Sequence, residues 1–100
     1  MTLVLPGETV VHVCAPTVEL VGELRRGRRK LDAVLRGDEG DDRAKKAVYE
    51  LAAKLINCND DDFETTAQEL AVLHRVSLRA LKVFFEDYAK FLKTLETEKN

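Results

Sequence analysis

Four side chains in this 100-residue chain are of the types that ligate zinc: His12, Cys14, Cys58 and His74. Tetrahedral zinc draws its ligands in closely spaced pairs. Only His12-Val13-Cys14 comes near that spacing, on a segment whose period of two would set both side chains on one face of a strand. The two thiols are far apart in sequence and form neither a Cys-x-x-Cys site nor a disulfide scaffold, which points to reduced thiols in an intracellular protein and to no metal. The acidic loop from Asn57 to Asp62 carries oxygen side chains at alternate positions, as a calcium loop does. It then has Asp62 where such a loop needs Gly and Gln68 where it needs a bidentate Glu, so calcium is not expected either. There is no Gly-x-Ser-x-Gly elbow, no phosphate-cradling glycine loop, no His-Glu-x-x-His pair and no nucleophile beside a base. The expectation is a protein that is not an enzyme and needs no cofactor.

Binding is the remaining chemistry, and two clusters offer it. Arg25, Arg26, Arg28, Arg29 and Lys30 make a dense basic run, a candidate electrostatic patch for phosphate or for an acidic partner segment. On a helix the same residues would also serve as a solvated face whose aliphatic stems cover apolar surface. The formal net charge of −2 and a pI near 5.7 give no global attraction to nucleic acid or to anionic lipid, so any such binding must be local. The second cluster is aromatic: Phe84, Phe85, Tyr88 and Phe91 are four of the six aromatic residues in the chain. Helical spacing sets Phe85, Tyr88 and Leu92 on one stripe with Leu78, Leu81 and Leu95, and leaves Phe84 and Phe91 on its flank. A soluble chain of this size is expected to shelter only part of that surface, which makes Phe84, Phe85, Tyr88 and Phe91 the candidate partner-binding residues.

The elements that must position these groups can be read in order. Leu3-Val4-Leu5 and Thr9 to Cys14 are rich in β-branched and aliphatic residues and flank Pro6-Gly7-Glu8, which predicts a β-hairpin within residues 1–15. Pro16 holds Ala15 extended and Thr17 caps a helix over 17–36, with Leu20, Leu24, Gly27, Leu31, Val34 and Leu35 on one stripe. Gly27 either admits close approach of another backbone or divides that helix. Gly37 to Asp42 links to a second helix over 42–57, the clearest amphipathic one, on Ala44, Ala47, Val48, Leu51, Ala52, Leu55 and Ile56. Asn57 to Asp62 stops it, Thr66 to Glu69 has the capping-box pattern for a short helix over 66–74, and Ser77 caps a last helix over 77–96. Residues 1–100 are therefore expected to form a single domain of mainly α (α+β) class, an N-terminal hairpin followed by about four helices in a small bundle. No run is long and apolar enough for a membrane span, and the N-terminus lacks the basic and apolar regions of a secretory signal, so a cytoplasmic protein is expected.

The stretch Leu70 to Leu81 has the spacing of a helix-turn-helix, with His74-Arg75 where a Gly is usual. A DNA reader needs polar and basic groups on its second helix, and Arg79 and Lys82 alone supply them before Glu86 and Asp87 intervene. A regulator of a mobile element with Ser77 to Lys82 at the DNA is thus the alternative reading, and nucleic acid is not the expected partner.

Three further stretches carry a resemblance. Leu3 to Val13 followed by Ala15-Pro16-Thr17-Val18-Glu19-Leu20, then Tyr49 to Asn59, then Thr66 to Leu70 with Phe84 to Leu92, resemble the small tail assembly chaperones of long-tailed bacteriophages and prophages. The resemblance is one of composition and order over most of the chain. It implies a non-catalytic, mainly helical protein that holds the tape measure protein during tail assembly in the cytoplasm of the bacterial host, and that self-associates. Tape measure proteins expose long apolar helices, which a groove lined by aromatic rings would receive.

Overall fold

The computed structural model describes residues 1–37 and 42–98. Two short strands come first, β1 (Thr2–Leu5) and β2 (Thr9–His12), paired antiparallel with Leu3 opposite Val11 and Val4 opposite Val10. Glu8 N–H donates to Leu5 O at 3.1 Å, closing a turn in which Gly7 has φ 91°. That conformation is the one a type II turn demands after Pro, and glycine adopts it without strain. Alternation along the strands sends Leu5, Val11 and Val13 into the core and leaves Thr2, Val4, Val10 and His12 outside.

Three α-helices and one π-helical turn follow: α1 (Val18–Leu35), α2 (Asp42–Ile56), the turn Glu69–Leu73 and α3 (Leu78–Glu98). The chain is thus mainly α with a two-stranded hairpin. Hydroxyl caps hold three of the starts. Leu20 N–H donates to Thr17 Oγ1, Glu69 N–H to Thr66 Oγ1 and Ala80 N–H to Ser77 Oγ, at 3.3, 3.1 and 3.1 Å. Each satisfies a donor that the helix itself leaves orphaned. The link expected from Gly37 to Asp42 lies mostly outside the described residues.

Helix α1 runs through Gly27 unbroken, so the glycine does not divide it. What comes close there is the side chain of Leu51 from α2 and not another backbone: a Cβ built at Gly27 would clash with Leu51 Cδ2. Helix α3 packs on α1 and on α2, and Leu24, Leu31, Val48, Leu55, Ile56, Leu81 and Phe85 meet in one core that the inner face of the hairpin completes. Tyr88 reaches across it to donate its hydroxyl to Cys14 O at 2.8 Å, which ties the middle of α3 to the end of the hairpin.

Candidate functional site

Phe84, Phe85 and Tyr88 are 5%, 0% and 0% exposed, and Phe91 is half-buried against the same core. Phe84 meets Tyr88 edge to face with centroids 5.6 Å apart, and Tyr88 meets Phe91 the same way at 5.8 Å. The ring surface expected to stand exposed is withdrawn because the dry stripe of α3 is wide enough to take in Phe84 along with Leu81, Phe85 and Tyr88, while Arg79, Lys82, Val83, Glu86 and Lys90 keep the opposite face wet. These rings hold the fold together, and none of the three buried ones is a ready docking surface.

The basic run is likewise divided. Arg25, Arg28 and Arg29 line a shallow groove with Leu92 and Lys93 of α3, whereas Arg26 and Lys30 face the α2 side beside Gly27, Leu51 and Lys54. Five cations in sequence become two smaller groups on opposite flanks of α1, since a helix spreads consecutive residues around its axis. Arg79 and Lys82 sit at a third place with Leu35 and Arg36, where Lys82 Nζ approaches Asp32 Oδ1 at 3.8 Å.

The four zinc-type side chains do not converge, and among the described residues no group of three His, Cys, Asp or Glu is placed to hold a metal. His12 Nδ1 lies 3.0 Å from Asp61 Oδ2, Cys14 Sγ donates to Asp60 Oδ1 at 3.2 Å, and the His74 ring packs against Phe63 with centroids 5.8 Å apart. The Cys14 thiol is pushed up from its ordinary range by its hydrogen bond to the Asp60 carboxylate and by desolvation, which suppresses its thiolate. The Asp61 carboxyl is held below the usual range, chiefly by the His12 main-chain N–H that donates to it at 2.6 Å.

What the loop from Asn57 to Asp62 does was not foreseen from sequence. Asn59 Oδ1 accepts from Asp61 N–H and Phe63 N–H, while its Nδ2 donates to Ile56 O and Phe63 O. Asn57 pairs with the main chain of Thr65 through both its amide atoms. The side chains that looked like ion ligands instead replace backbone partners and stiffen the segment, which then lies along β2. Asp60 N–H donates to His12 O at 3.1 Å, and Val13 pairs with Asn59 in an antiparallel bridge. Asparagine at a helix end was the available signal.

An apolar groove of about 410 Å³ remains between β1 and the first half of α3. Leu3, Val4, Val76, Ala80, Val83 and Phe84 line it, with Asp87 among the lining residues as the one charged side chain. Val4 and Val83 are 61% and 56% exposed, so both walls of the groove carry aliphatic surface open to solvent. The register shows how its strand wall is built. Met1 and Val13 exchange both main-chain hydrogen bonds, so Leu3 and Leu5 turn their N–H and C=O groups toward β2, and those of Thr2 and Val4 point outward. The groove therefore has an apolar floor and an open row of backbone donors and acceptors along one side. No protein family, no curated protein and no solved structure matches the chain.

Proposed function

We propose that this protein is a non-catalytic binding module of the phage tail assembly chaperone kind, which holds an apolar segment of the tape measure protein in the cytoplasm of a bacterial host. The observation that supports the reading is the groove between β1 and α3, with Val4 and Val83 exposed in it and a single carboxylate among its lining side chains. An amphipathic helix lays its apolar face in such a groove, and an extended segment adds hydrogen bonds to the free edge of β1. The site moves from the buried rings to the surface in front of them, while the kind of partner stays the same. Among the described residues no helix is long and apolar enough to cross a membrane. Self-association, the companion proposal, has the same edge of β1 at its disposal, so a second copy and a foreign segment would compete for it.

Co-expression with a phage tape measure protein tests the reading. A soluble complex is expected, and Val83→Asp, an exposed position that the core does not use, is expected to abolish it while the circular dichroism of the free protein is unchanged. If the Val83→Asp variant still captures the partner, the groove is not the site. If the unaltered protein captures none and instead binds duplex DNA with steep salt dependence, the regulator reading takes its place.

A further inference from the structure

We infer that Cys14 and Cys58 are a built thiol pair that closes into a reversible disulfide by exchange with a low-molecular-weight disulfide such as oxidised glutathione. Both are free thiols, and both are half-buried, which leaves each within reach of a small reagent. Two main-chain hydrogen bonds bring them together from distant parts of the chain. Cys14 N–H donates to Cys58 O at 2.7 Å and Asp60 N–H donates to His12 O at 3.1 Å, on either side of the bridge between Val13 and Asn59. That pattern sets Cys14 directly opposite Cys58. Opposed residues of an antiparallel pair send their side chains to the same face with Cα atoms about 5.5 Å apart, inside the span a disulfide tolerates.

Both sides of the pair are held in place. The Tyr88 hydroxyl fixes the carbonyl of Cys14 from the core side, and the amides of Asn57 and Asn59 fix the segment around Cys58. Closure therefore needs rotation of two side chains and little movement of backbone. In the first step the Cys58 thiolate attacks the small disulfide, since the Cys14 proton is held by the Asp60 carboxylate; the S–S bond of the reagent breaks and one small thiolate leaves, giving a mixed disulfide on Cys58. The Cys14 thiol then loses its proton, and its sulfur attacks the Cys58 sulfur of the mixed disulfide and releases the second small thiolate. Two protein thiols are oxidised by two electrons, and the reagent is reduced to two thiols that take up the two protons. The bridge ties the base of the hairpin to the end of α2 and encloses α1 and α2 in a covalent loop.

The full chain, equilibrated in buffers of graded oxidised to reduced glutathione, quenched with acid and weighed, tests this. The expected product is a monomer lighter by two hydrogens and carrying no glutathione, which grows in as a single two-electron transition and resists urea better than the reduced chain. Cys14→Ser and Cys58→Ser are each expected to lose that species and to stop at a mixed disulfide. Accumulation of singly and doubly glutathionylated wild-type chain without the bridged form would overturn the inference, as would disulfide-linked dimers as the main product.

Discussion

Asn59 shows at the scale of one residue how side chains here do the work of backbone. Four hydrogen bonds converge on its amide, two to the oxygen and two from the nitrogen. Truncation strips all four and leaves Ile56 O and the main chain of Phe63 without partners. Asn59→Ala is therefore expected to cost about 2–3 kcal/mol, read as a shift of the urea midpoint. Asp61 carries a dependence on pH whose sign follows from its partner. The His12 N–H favours the carboxylate in the folded protein, so the folded value lies below the unfolded one. The stabilisation is whole above the ordinary carboxylate range, near pH 4, and is lost as pH falls through the folded value. Asp61→Asn is expected to be less stable than the parent at pH 7 and to converge with it in strong acid. The sequence identified both residues as turn formers. It could not show where their oxygens point, because a side-chain amide satisfying a carbonyl three residues back looks the same in a sequence as one facing water.

Between elements, the contact of α1 with α2 turns on Gly27. A methyl group added there meets Leu51 Cδ2, and Leu51 is itself buried. Alanine gains about 1 kcal/mol in helix propensity, and turning the end of the Leu51 side chain, which borders an open groove, costs about 0.5–1.5 kcal/mol. Gly27→Ala is expected to change stability by less than about 1 kcal/mol, and to be stabilising by about 1 kcal/mol in a Leu51→Val background, so that the two changes are non-additive in a denaturation cycle. The stripe on which Gly27 sits was legible, and so were the three hydroxyl caps, because both are properties of residues three and four apart. The π-helical turn was not. Its wide loop is set by tertiary demands: Leu70 is fully buried, Val76 N–H returns to Leu70 O at 2.9 Å, and Arg75 takes φ 52° to make the corner. Local propensity favours a regular turn there, and burial of Leu70 overrides it.

In the whole molecule the decisive difference from the sequence reading is how wide the dry face of α3 is. Phe84, Phe85 and Tyr88 are all buried in one core with residues of α1, α2 and the hairpin, while Lys82, Val83, Glu86 and Lys90 stay exposed. Amphipathic patterning of α3 was legible; cover over its Phe84 flank was not, because the residues that share that core are remote in sequence. Tyr88 measures how much the closure depends on one polar contact. Tyr88→Phe keeps the ring and leaves Cys14 O without its donor, so a loss of about 1–2 kcal/mol near neutral pH is expected from thermal denaturation. Burial holds the Tyr88 phenol above its usual range, so the unfolded chain ionises first and stability falls as pH rises past about 10. The phenylalanine variant lacks that group, and its deficit is expected to narrow at pH 11.

The hairpin has unequal sides. At the end of β2 Asp60 and Asp61 already occupy the outward backbone groups of His12, while Thr2 and Val4 of β1 offer theirs to solvent. Strand-to-strand addition thus favours the edge of β1 over that of β2, which the loop blocks at His12. A twofold pair with Leu3 facing Leu3 would use the β1 edge of both copies, a contact that closes on itself instead of propagating head to tail.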